Sequence, residues 1–138
     1  MWKIEVWSVL AANRPFIMKP LHKQDLTEFV KRFNNFEDAD FRSIEIISPE
    51  QMRLVLAVQD SARAFDWITI TLEFSGVSDA RLLESNKLSL LDMSDGANII
   101  KENDLFAFGL GGCYNISTTK NSICYIISND LKYEEGQF

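Results

Sequence analysis

Asp66-Trp67-Ile68-Thr69-Ile70-Thr71-Leu72-Glu73-Phe74 decides the fold class. Ile68, Ile70, Leu72 and Phe74 fall on one side of a two-residue repeat, and Trp67, Thr69, Thr71 and Glu73 on the other. Side chains along a strand point alternately to opposite faces, so this run is a strand with one dry and one wet face. Its β-branched and aromatic residues suit a pleated surface. A dry strand face needs partners, and the flanking sequence supplies them. Met52, Leu54, Leu56 and Val58 alternate with Arg53, Val55, Ala57 and Gln59, and Phe41 to Ile47 precedes them across the turn Ser48-Pro49-Glu50-Gln51. Three such strands joined by short links predict an antiparallel meander.

Upstream, Leu26, Phe29, Val30 and Phe33 recur at helical spacing behind Asp25-Leu26-Thr27-Glu28, which has the form of a capping box. Lys31 and Arg32 suit the negative end of a helix dipole, and Asn34-Asn35 can take the left-handed conformation that ends a helix. The spacing predicts a helix over 25–34, packed on the sheet. Downstream, Gly76 to Leu83 reads as a bend and one helical turn. Lys87 to Met93, Leu105 to Leu110 and Ile123 to Ser128 read as further strands, and Asn98 to Lys101 as a short edge piece. The tail 129–138 is polar and expected to fray. Residues 1–17 read as mature protein, an edge strand or an extended arm, and Met18 offers a second start codon. The fold class expected is α+β: a mainly antiparallel, meander-rich β-sheet of about five to seven strands with one N-terminal amphipathic helix packed on it.

With 138 residues, the chain has the size of one domain, 1–138. It is 46% hydrophobic and 25% charged, with ten Phe, three Trp and three Tyr, enough for a core without metal or disulfide. Twenty acids against fourteen bases give a formal charge of −6. That sign repels phosphate and argues against nucleic acid as a partner. It fits a cytoplasmic protein, or one that docks on a basic protein partner. No run approaches the ~20 apolar residues of a membrane span.

Candidate chemistry is thin. The one histidine, His22, reads as a solvated surface side chain, and a hydrolytic triad needs a base beside its nucleophile. Cys113 and Cys124 have no CxxC partners and read as two buried thiols, not a disulfide. Gly109-Leu110-Gly111-Gly112 lacks the Lys-Ser/Thr of a phosphate loop and reads as a bulge or turn. Glu37, Asp38 and Asp40 lack the calcium-loop pattern, and Asp92 to Gly96 lacks its twelfth-position glutamate. Asn115-Ile116-Ser117 fits a glycosylation acceptor, which matters only in a secreted chain. Phe65, Trp67, Tyr114 and Tyr125 are candidates for an exposed aromatic face. No catalytic, cofactor-binding, metal or disulfide residue is assigned.

Phe36-Glu37-Asp38-Ala39-Asp40-Phe41-Arg42-Ser43-Ile44-Glu45-Ile46 pairs an acidic-aromatic turn with a strand ending in a serine-isoleucine step. Ile70 to Leu82 is a strand followed by Gly-Val and an acidic bend. In these two segments, under a quarter of the chain, it resembles a group of small bacterial proteins of unknown function. Some of those sit in polymorphic-toxin loci and are taken to be immunity proteins. The resemblance implies a non-enzymatic, protein-binding role and transfers no site residue. Three readings stay open: a protein-binding module of the immunity type; a small-ligand binder or enzyme with a pocket gathering several of Asp38, Asp66, Asp92 and Trp67; and an oligomer subunit that pairs through a sheet edge.

Overall fold

The computed structural model describes residues 18–138, so the arm read at 1–17 lies outside the described residues. Among the described residues, seven strands make one antiparallel sheet: β1 (Lys19–Pro20), β2 (Asp40–Ser48), β3 (Gln51–Asp60), β4 (Asp66–Arg81), β5 (Ala97–Glu102), β6 (Leu105–Leu110) and β7 (Tyr125–Gln137). Their order is β2-β3-β4-β7-β6-β5, with β1 pairing β7. Helix α1 (Leu26–Arg32) follows β1, and a short helix α2 (Ile116–Thr119) precedes β7. The class is the α+β arrangement expected, with β2-β3-β4 as the meander.

Register explains the core. Met52, Phe74 and Leu131 stand in one row across β3, β4 and β7, and Leu54, Leu72 and Tyr133 in the next. Ile70, Leu72 and Phe74 are fully buried, as the two-residue repeat requires. Leu26, Phe29 and Val30 of α1, and Phe33 just after it, close over this face. Phe29 meets Phe33 edge-on at 5.1 Å and Tyr133 at 4.8 Å. Each large apolar side chain removed from water here contributes about 1.5–3 kcal/mol.

The opposite face is polar by row. Glu45, Arg53, Glu73 and Lys132 stand side by side across β2, β3, β4 and β7, so charges alternate in sign. Arg53 reaches Glu73 at 2.7 Å and Glu45 at 3.6 Å. The face is wet at Trp67, but Thr71 and Glu73 are buried, because in mid-sheet their flanking neighbours shield them. At the far end of this face α2 packs over a second, smaller cluster of Ala107, Tyr125 and Ile127. A Cβ on Gly109 would stand 2.7 Å from Cys113 Sγ and 3.0 Å from Thr119 Cγ2, so glycine lets that covering segment approach.

Several expectations need correction. The capping box does not form: a 3₁₀ turn, Lys23–Asp25, leads into α1, Asp25 is already helical, and its side chain makes no capping bond. The helix therefore runs from 26, not 25, and it follows β1 and that 3₁₀ turn among the described residues. β4 does not end at Phe74. It continues to Arg81 through Gly76, at φ +68°, and a register shift between Val77 and Asp79. A bulge keeps the ladder while breaking the alternation that a sequence reading relies on. Residues 85–90 are a 3₁₀ segment rather than a strand. Leu88 and Leu91, three apart, turn toward the core, while Leu90 is 80% exposed. That is the three-residue period of a 3₁₀ helix. Finally, the tail does not fray: β7 runs to Gln137, with Leu131 buried in the core.

Candidate functional site

The dry face of the sheet ends in charge. Beyond the Val58–Ile68–Gln137 row, Asp60 and Asp66 stand directly opposite each other. Like charges in that position repel. The remedy is two arginines. Arg32, the last residue of α1, grips Asp60 through Nε and a second nitrogen at 2.8 and 2.6 Å, and reaches Glu135 of β7 at 3.1 and 3.2 Å. Arg63, in the β3–β4 turn, donates to Glu135 at 2.7 Å and lies 3.3 Å from Asp60. Asp60 also accepts from the Ala62 backbone N–H, which caps the 61–63 turn, and the Ser61 hydroxyl donates to the Arg32 carbonyl. A helix end, a hairpin turn and the last strand are thus tied at one corner.

Hydrogen bonds from Arg32 hold the carboxyls of Asp60 and Glu135 below the usual carboxylate range, and Asp60 in return raises Arg32. All three keep their charge across the neutral range. A proton-transfer group works best with a pKa near the operating pH, so these residues form a fixed ionic clamp. Bidentate arginine–carboxylate geometry suits that role.

Around the clamp lie apolar rings. Phe65, Trp67 and Phe138 are 61%, 41% and 63% exposed. Trp67 and Phe138 pair across β4 and the end of the chain at 5.7 Å. A cavity of about 350 Å³ opens here, lined by Arg63, Asp66, Trp67, Glu135, Gln137 and Phe138 among others. Phe65 follows Ala64, and both are left-handed, at φ +54° and +66°. For a bulky residue that conformation is strained, and an exposed ring regains little of the cost through burial.

Of the sequence candidates, the consecutive Phe65, Asp66 and Trp67 stand at this corner, with Asp66 opposite Asp60. Of the pocket set, Asp38 and Asp92 stand elsewhere: the Asp38 N–H donates to the Met93 carbonyl, and Asp92 accepts from the Ser94 N–H, which lowers its carboxyl pKa. Tyr114 is exposed beside a separate cavity of about 260 Å³ with Asn35, Glu37 and Asp95. Tyr125 is buried and donates to Asp79. Cys113 and Cys124 are buried free thiols, and burial pushes Cys124 up to about 11. Asn115 caps α2, its side chain accepting from the Thr118 N–H. His22 is exposed. Arg32, Arg63, Glu135 and Phe138 were not candidates. Arg32 was legible only as a helix-end cation, and Glu135 and Phe138 sat in a tail expected to fray. Among the described residues, no group of three His, Cys, Asp or Glu side chains is placed to hold a metal ion. No helix among them is long and apolar enough to cross a membrane.

Comparison of the chain with models of protein families, with curated proteins and with solved structures gave no match.

Proposed function

We propose that this protein is a non-enzymatic bacterial binding module that docks a protein partner on the Phe65–Trp67–Phe138 corner, as an inhibitor of the immunity type. The observation that carries the reading is the exposed Trp67–Phe138 ring pair, which lines one cavity with Arg63 and Glu135 of the clamp. Aromatic residues and arginine dominate the energetics of protein interfaces, and a rigid platform reduces the ordering cost of binding. The net charge of −6 adds attraction toward a basic partner. The resemblance of residues 36–46 and 70–82 to proteins of toxin loci points to a toxin as that partner.

The test is co-expression with the product of each gene adjacent to this one, purification of any complex formed, and titration by calorimetry. A 1:1 complex is expected, weakened at least about tenfold by Trp67→Ala, as for a central interface aromatic. A complex whose affinity stays within about twofold after that change would remove the corner from the interface.

A further inference from the structure

We infer that Phe65 is the anchor of the interface: its ring, held out on the β3–β4 turn, enters an apolar pocket of the partner protein. The inference rests on the protein-docking reading of this corner. It names the side chain that does the recognising and the chemistry that receives it.

Phe65 stands apart from the Trp67–Phe138 pair. It does not line the cavity of that pair, and it has no ring contact among the described residues. Its backbone is what singles it out. At φ +66° it is left-handed. Asn34, Asn35, Asp38, Asn103 and Asp104 share that conformation and tolerate it, and Phe36 repays it by complete burial. Phe65 is a bulky residue in the same conformation with 61% of its surface exposed. Asn or Gly would serve the turn better, so the ring is not there for the fold.

The turn is braced to hold the ring out. The Phe65 N–H donates to the Asp60 carbonyl at 2.8 Å, and the Phe65 carbonyl accepts from Gln59 Nε2 at 3.3 Å. Asp60 is itself fixed by Arg32, Arg63 and the Ala62 N–H. Residues 61–67 are exposed throughout, so the ring sits on a projecting, rigid support. A support of this kind reduces the ordering cost of binding. A projecting ring needs a concave receiver, and aromatic anchors of protein interfaces fill desolvated pockets. Exposed Arg63 and Asp66 flank the ring in sequence and suit the polar rim of such a pocket. An anionic membrane would meet Asp66 and the net charge of −6 unfavourably.

Two substitutions in the full chain test this. Phe65→Asn removes the ring and relieves the backbone, whereas Phe65→Leu keeps an apolar side chain in the same conformation. In urea unfolding, Phe65→Asn should lower the unfolding equilibrium constant about three- to tenfold. Phe65→Leu should stay within about twofold of the unaltered chain. In calorimetry with the adjacent-gene product that forms the complex, Phe65→Asn should weaken binding at least about tenfold, and Phe65→Leu less. A Phe65→Asn chain no more stable than the unaltered one would overturn the assignment, because the ring would then be serving the fold. A complex that stays within about twofold after Phe65→Asn would overturn it as well. If Trp67→Ala still weakens that same complex, the docking reading stands and only the anchor falls. If neither substitution weakens it, or no adjacent-gene product forms a complex, both fall together.

Discussion

Asp60 is a fully buried side chain that carries charge, and its partner Arg32 is only partly exposed. Breaking a buried pair by removing one partner strands the other, which costs more than the pair contributes. Asp60→Asn should therefore lower the unfolding free energy by about 3 kcal/mol at pH 7. The pH dependence follows from the direction of the shifts. Asp60 and Glu135 have lowered pKa values in the fold, so their contribution is present above the unfolded value of about 4 and is lost as pH falls through the folded values. Arg32 is raised, so its contribution is present below its unfolded value and would be lost only in strong alkali. Urea unfolding of both proteins over a pH series checks this. The stability gap between them should shrink as pH falls below about 4, and a gap of constant size would mean that Asp60 is not held as an ion. At this scale the sequence was partly legible. Asp66 and Trp67 could be singled out as polar and aromatic neighbours on a strand. The clamp could not, because Arg32, Asp60 and Glu135 meet only after 28 and 103 residues of chain are folded back.

The turn after α1 shows what an element costs when tertiary contacts override local preference. Asn34, Asn35 and Phe36 are consecutive left-handed residues, and Asp38 is a fourth nearby. Each such non-glycine residue costs about 1–2 kcal/mol in backbone strain, less for asparagine. Phe36 offsets its share by full burial and by stacking on Phe33 at 6.0 Å. Asn34-Asn35 was legible as a helix stop because asparagine tolerates this conformation by itself. Phe36 was not, because only the core holds it there. The turn leans on the 93–96 segment, where the Asp38 and Gly96 N–H groups both donate to the Met93 carbonyl. Gly96, at φ +67°, has no room for a Cβ, which would sit 2.1 Å from the Asn35 carbonyl oxygen. Gly111, at φ +83°, has nothing within 4 Å. The two glycines separate strain from contact. Gly111→Ala should cost about 1 kcal/mol, the backbone term alone, and Gly96→Ala about 3 kcal/mol or more, because backbone must also move. Chemical denaturation of both variants measures the difference. Equal losses would show that the turn is not pressed against residue 96.

For the molecule as a whole, the question is which strand closes the sheet. The meander β2-β3-β4 is built from neighbours in sequence, and its alternation made it readable. β7 is different. It lies between β4 on one side and both β6 and β1 on the other, so it joins the meander to the β5–β6 hairpin. Its pairing with β4 spans Ile68↔Gln137 to Arg81↔Tyr125, across a long stretch of intervening chain. The polar run after Asn129 hid it, although Leu131 and Tyr133 still alternate toward the core, and the acid next in that series, Glu135, turns out to be a ligand of the clamp. A frayed tail and a central strand make opposite predictions. If residues 129–138 only fray, removing them costs little. If β7 closes the sheet, the truncation deletes Leu131 and Tyr133 from the core, leaves the Ile68–Ser75 edge of β4 without its ladder, and takes Glu135 from both arginines. Burial lost from Leu131 alone amounts to about 1.5–3 kcal/mol, and the partly buried Tyr133 adds to it, a large share of the stability of a small domain. The shortened chain, 1–128, should therefore show no cooperative urea transition and little amide dispersion in its NMR spectrum. Removal of Phe138 alone should leave both intact, since its ring is mostly exposed and it lies beyond the last paired residue of β7. A cooperative transition in the 1–128 chain at the midpoint of the full chain would mean that the sheet closes without β7, and the corner built on it would lose its support.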